Sequence, residues 1–142
     1  MKNLVMLLAA AMITSCINAQ KILDKDVPTT VRAAFQKQYP NVKKVKWEKE
    51  KANYEAGFEN NKTEYSVLID VSGNIVETEA EIKVDELPAK ARAYISKNYT
   101  GQKIKEAATI TKANREINYE AELKSMDLIF DATGNFIRED KD

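Results

Sequence analysis

One unit of about 60 residues is written twice in this 142-residue chain, and that repetition limits the fold more than any other feature. At an offset of 60, Val27-Pro28 falls on Leu87-Pro88, Arg32 on Arg92, Phe35 on Ile95, Lys37 on Lys97 and Tyr39 on Tyr99. Val45-Lys46 falls on Ile104-Lys105, and Tyr54-Glu55-Ala56 on Tyr119-Glu120-Ala121. The stretch DVSGNI from Asp70 to Ile75 returns 61 residues later as DATGNF from Asp131 to Phe136.

Within each unit the hydrophobic period changes once. Val27, Val31, Ala34, Phe35 and Tyr39 make a helical stripe, repeated by Leu87, Ala91, Tyr94, Ile95 and Tyr99. Pro28 and Pro88 suit a first helical turn, and Pro40-Asn41 and Thr100-Gly101 stop the helices. The period then drops to two, the mark of strands with one buried face. Val45 and Trp47, then Tyr54, Ala56 and Phe58, then Tyr65, Val67 and Ile69 share the inward parity, with a fourth strand from Asn74. The second unit reads as strands over Ile104 to Ile110, Ile117 to Leu123 and Met126 to Phe130, with a short one at Phe136. The Gly-Asn stretches fall between strands, with Gly73 and Gly134 free to take a positive φ, and read as hairpin turns. Neither has the alternating carboxylates of a calcium loop, and Ala132 separates Asp131 from Thr-Gly, against an aspartic protease motif. The expected fold is α+β: a tandem repeat of helix plus four-stranded antiparallel meander, joined into an about eight-stranded sheet with both helices on one face. Segment Glu77 to Leu87 is expected to link the two repeats, 24–82 and 84–140.

The N-terminus is expected to be a leader. Lys2 precedes an uncharged, mostly apolar run of about ten residues from Leu4 to Ile13, half the roughly 20 that span a bilayer. Two endings fit. Cleavage after Ala19 makes 1–19 a signal peptide, whereas Ile13-Thr14-Ser15-Cys16 fits a lipobox, with a leader of 1–15 and Cys16 lipidated. Either ending places the protein outside the cytoplasm, periplasmic or associated with the outer membrane, and touching the membrane only through a lipid anchor.

Cys16 is the only cysteine, so no disulfide forms within the chain. Histidine is absent, which excludes catalytic triads, Cys/His dyads and histidine-ligated zinc. Lysines and arginines number 22, as do the acidic residues, and this balance argues against nucleic acid as partner.

With the paired Pro-led helices, the KVKW strand from Lys44 to Trp47, the Tyr-Glu-Ala strands and the twin Gly-Asn turns, the chain resembles the PepSY-like family of small exported bacterial proteins. That family is similar in fold to the β-lactamase inhibitor protein. The resemblance covers about residues 24–140; it departs in the second unit, where Lys105-Glu106 stands in place of Lys46-Trp47. It implies a protein-binding or inhibitory role and brings no catalytic residues, metal or cofactor.

The sheet face away from the helices is expected to be solvated and of mixed charge, presenting Lys44, Lys46, Glu48, Glu55, Glu59, Ser66, Leu68, Glu120 and Glu122 to an envelope or secreted protein or peptide. Glu64, Asp127 and Ile129 share its parity. Trp47, Tyr54, Tyr65 and Tyr119 are expected in the core. Glu77, Glu79 and Glu81 alternate along one strand and are expected to keep ordinary pKa values. The expected role is a non-enzymatic exported binding module. The alternatives are a carboxylate glycosidase using a pair among Asp70, Glu77, Glu79 and Asp131, and a purely structural lipoprotein.

Overall fold

The computed structural model describes residues 19–141. Cys16 and the expected leader through Asn18 lie outside the described residues. Two helices, α1 (Thr29–Gln38) and α2 (Ala89–Asn98), stand at an offset of 60. Each follows a single 3-10 turn, Asp24–Asp26 or Val84–Glu86. Pro28 and Pro88 cap the helices from one residue earlier than the sequence suggests, and their carbonyls accept the first helical bonds from the N–H groups of Arg32 and Arg92 at 3.0 and 3.1 Å. A cap residue needs no helical N–H, so proline is as well suited there as in the first turn.

The strands are β1 (Gln20–Ile22), β2 (Lys46–Glu50), β3 (Asn53–Asn60), β4 (Thr63–Ile69), β5 (Ile75–Ile82), β6 (Glu106–Lys112), β7 (Ile117–Glu122), β8 (Met126–Asp131) and β9 (Phe136–Lys141). They form one antiparallel sheet whose spatial order is the chain order. The sheet thus has nine strands where about eight were expected. The additional strand is explained by the repeat: Ile22 of β1 pairs with Trp47 as Ile82 of β5 pairs with Ala107, so β1 is the first unit's copy of the end of β5. The expected linker from Glu77 to Leu87 is corrected too. Its first half is the C-terminal part of β5, paired on one side to β4 and on the other to β6, and the connection itself is only the turn around Val84–Glu86. There the Lys83 N–H donates to Glu86 Oε2 at 2.7 Å.

Register shows that both units present one common face to the helices. Phe58, Tyr65, Ala80, Thr109, Tyr119 and Phe130 pair in succession across β3 to β8. On this face Val31 and Phe35 of α1 bury against Trp47, Ala56, Phe58, Val67 and Ile69, while Ala91 and Ile95 of α2 bury against Ala107, Ala121, Leu123, Leu128 and Phe130. Tyr54, Tyr65 and Tyr119 pack at the edges of these clusters. Aromatic edges meet faces, as in Phe35–Trp47 at 5.5 Å and Tyr94–Phe130 at 5.8 Å. Burying one such large side chain stabilises by about 1.5–3 kcal/mol, so these two clusters hold both helices on the same side.

The twin turns lock helix to sheet. Asp70 Oδ1 accepts the N–H groups of Ser72 and Asn74 at 2.9 Å, and Asp131 Oδ1 does the same for Thr133 and Asn135. Gly73 and Gly134 take φ values of +86° and +90°. Each turn presses on the start of its helix: a Cβ on Gly134 would sit 2.9 Å from the Cβ of Pro88 and 3.0 Å from the Ala91 nitrogen. Their repetition therefore carries shape, as expected.

Candidate binding face

The second face of the sheet is uncovered by any described helix. Strand register assigns its rows: Glu48, Glu55, Leu68, Glu77 and Lys112 pair across β2 to β6, and Glu81, Ala108, Glu120, Ile129 and Arg138 across β5 to β9. A third row runs Lys46, Gly57, Ser66, Glu79, Ile110 and Asn118, and a fourth Glu106, Glu122, Asp127 and Asp140. Glu59 pairs with Glu64 at the edge of the same face. The expected residues Lys46, Glu48, Glu55, Glu59, Ser66, Leu68, Glu120 and Glu122 are thus brought together. Lys44 is not, because it lies in the exposed loop ahead of β2.

This face is neither fully solvated nor evenly charged, which corrects two expectations. Glu55, Ser66, Leu68, Glu79 and Glu120 are only 4–8% exposed, and Ile129 not at all. Curvature is the cause. In a flat sheet a face that no helix covers would leave its side chains open to water, yet Leu68, Ile110 and Ile129 are only 7%, 5% and 0% exposed. The sheet curls about this face and makes it concave, with Leu68, Ala108, Ile110 and Ile129 in its floor. Every strand from β2 to β9 contributes a carboxylate by parity, whereas the cations of these rows are Lys46, Lys112 and Arg138. The concave face is acidic.

Burial reshapes the chemistry of these groups. Desolvation pushes the Glu55 carboxyl up to about 7, against a hydrogen bond from Ser66 that lowers it and the nearby charges of Glu50 and Glu48 that raise it. Glu79 and Glu120 are pushed well above the usual carboxylate range, first by burial and then by each other's neighbourhood: Glu55, Glu77 and Asp127 act on Glu79, and Glu79, Asp127 and Glu122 on Glu120. Burial raises Glu77 as well, opposed by Lys112 and Arg138. Ordinary values had been expected for Glu77 and Glu79 on the ground that nothing apolar enclosed them; Leu68, Ile110 and Ile129 supply that enclosure. Asp70 and Asp131 are held below the ordinary aspartate value by their Asn74 and Asn135 partners.

Several residues of the face went unmarked in the sequence: Ala108, Ile110, Asn118, Arg138 and Asp140. The signal was there in the alternation of β6 and β9, and it needed the register to assign the face. Among the described residues no group of three His, Cys, Asp or Glu side chains is arranged to hold a metal ion.

The sequence profile of a family described as beta-lactamase-inhibitor-like, PepSY-like matches residues 12–77 and, a second time, 62–138. The chain belongs to the PepSY-like family. The double match carries the repeat seen in the sheet. A BLIP-like protein from Bacteroides fragilis is similar to this PepSY-like chain at 25% identity and a TM-score of 0.61, over 80% of this chain and 86% of that one. A DUF2874 family protein from Bacteroides uniformis shares the fold at 22% identity and a TM-score of 0.71, over 80% and 88%. A protein from Bacteroides eggerthii ascribed to the periplasm shares it at 18% identity and a TM-score of 0.73, over 81% and 88%. No curated protein matches the sequence.

Proposed function

We propose that this chain is an exported, non-enzymatic binding module that takes a protein partner on the concave face of its sheet, in the manner of an inhibitor. The observation that carries this reading is a face left bare by both helices, with an apolar floor at Leu68, Ile110 and Ile129 and a charged rim. The beta-lactamase-inhibitor-like family and the BLIP-like protein of Bacteroides fragilis support it. A carboxylate glycosidase needs one neutral and one ionised acid side by side. Glu77 and Glu79 are shifted in the same direction, and Asp70 and Asp131 are engaged in turns. The surplus of carboxylates on the face favours a partner segment rich in lysine and arginine, whose approach they would steer.

Export rests on the leader-like run from Leu4 to Ile13, and lipid attachment on Cys16. Palmitate labelling of the wild type that vanishes in Cys16→Ala establishes the anchor; a soluble periplasmic product that begins at Gln20 establishes cleavage instead.

Photocrosslinking amino acids placed at Glu48 and Glu122 on the rim, and at Lys37 on the exposed side of α1, test the face in the native envelope. The expected result is one protein crosslinked from Glu48 and Glu122, not from Lys37, and lost when Glu59 and Glu81 are both changed to lysine. Equal labelling from all three positions overturns the reading.

A further inference from the structure

Glu50, Glu64 and Glu120 of this face each have a buried carboxyl oxygen without a hydrogen-bond partner, and of these three Glu120 on β7 is the one whose whole side chain is buried. It is 5% exposed, and its Oε2 is buried with no hydrogen-bond partner. Buried polar atoms are ordinarily paired, so an orphaned carboxyl oxygen inside a cleft marks a group whose partner arrives from outside. Its surroundings indicate the partner's charge. Glu79 and Glu77 face it from β5, Asp127 from β8 and Glu122 from its own strand, and Glu55 reaches the same group through Glu79. The nearby cations, Lys112 and Arg138, act on Glu77.

We propose that Glu120 and Glu79, at the floor of the concave face, receive one guanidinium group, so that the bound partner enters with an arginine side chain. This rests on the reading of the face as a protein-binding surface and specifies its partner. A metal ion fits poorly, because among the described residues no three of these carboxylates are placed to ligate one ion together. Between Glu79 and Glu120 runs β6, whose buried Ile110 offers apolar surface to an aliphatic stem. A guanidinium is planar, can fork to two carboxyls and is more weakly hydrated than an ammonium, which suits a dry floor. Burial raises both carboxyls and so favours their neutral form. Pairing therefore follows a balanced exchange: each carboxylic acid that bonds the guanidinium releases its proton to solvent and remains as carboxylate. Binding strengthens as the pH rises, because the lower proton activity of the solution favours the release of those protons.

The test is an NMR titration of the full mature protein with methylguanidinium chloride, observing the side-chain carboxyl carbons of glutamate, with sodium chloride and calcium chloride at matched ionic strength as controls. The expected result is a saturable shift at Glu79 and Glu120, tighter at pH 8.5 than at pH 6.5, and weakened roughly tenfold in Glu120→Gln. Glu120→Gln keeps the shape of the side chain, and Glu79→Gln serves as a second variant should the first not fold. A linear shift, an unchanged titration in both variants, or an equal response to calcium overturns the guanidinium site. Rim crosslinking separates the two ideas: specific labelling from Glu48 and Glu122 without a methylguanidinium response leaves the binding face standing and removes only the arginine receptor.

Discussion

Trp47 Nε1 donates a hydrogen bond to Asp24 Oδ1 at 3.1 Å, and the other oxygen of that carboxylate takes Arg32 Nη1 at 3.2 Å. Three pieces of the first unit, the turn before α1, α1 itself and β2, are thus joined at one side chain. The second unit has no equivalent. Register makes Ala107 the counterpart of Trp47, since Trp47 pairs with Ala56 and Ala107 with Ala121; this corrects the sequence alignment, which set Glu106 in that place, and Val84 stands in Asp24's place against the core.

Trp47→Ala is therefore expected to destabilise by about 3–5 kcal/mol, from the cavity left in a 4% exposed site. Asp24→Ala is expected to lose about 1 kcal/mol, because the carboxylate is itself 69% exposed. Urea unfolding followed by far-UV circular dichroism separates the two; equal losses would show that the hydrogen bond, not the packing, dominates.

Two glycines with nearly the same backbone answer differently to alanine. Gly101 at φ +79° has open space around its missing Cβ, so Gly101→Ala costs only the left-handed backbone term of about 1–2 kcal/mol. Gly134 at φ +90° adds close approaches to Pro88, Lys90 and Ala91. Gly134→Ala is expected to lose clearly more, read as a lower thermal midpoint than that of Gly101→Ala.

Stability should fall as the pH rises from 5 to 8. Glu55 is raised from 4.5 to about 7, so the stability it contributes is fully present below its unfolded value and is lost as the pH climbs through that interval. At about 1.4 kcal/mol per pKa unit this is on the order of 3 kcal/mol. Glu79 and Glu120, raised in the same direction, carry the loss to more alkaline pH. Asp70 and Asp131 are shifted the opposite way, and their contribution is lost only in acid. Thermal midpoints across this range, flattened in Glu55→Gln, are the measurement.

Glu120→Met is expected to stabilise the protein by about 1–3 kcal/mol at pH 8, since an apolar side chain of similar size removes an unpaired buried carboxyl. A rise in the denaturation midpoint together with loss of the methylguanidinium response would mark Glu120 as kept at the expense of stability. A fall in the midpoint would show that the carboxyl is satisfied in the fold.

Much of this architecture could be read from residue spacing. The Pro-led stripes located α1 and α2 to within two residues, and the inward parity of Trp47, Tyr54, Tyr65 and Tyr119 held in the structure. Gly73 and Gly134 take the positive φ that their turns need. β1 escaped notice because three residues are too few to show a period, and only its pairing to Trp47 reveals it as a repeat of β5. The concavity escaped for a different reason. Parity tells which side of a strand a residue occupies, but bending is a property of the accumulated twist of all the strands. Without it Glu79 and Glu120 read as ordinary solvated acids.

The chain-order arrangement of the strands has a consequence for how the molecule comes together. Every ladder in the sheet joins sequence neighbours, and the widest intervals to be bridged are those from Ile22 to Trp47 and from Ile82 to Ala107, each occupied by a helix that shortens the span. Ring closure is then entropically cheap at each step, so assembly can proceed from one strand pair to the next along the growing polypeptide, without waiting for its last residues.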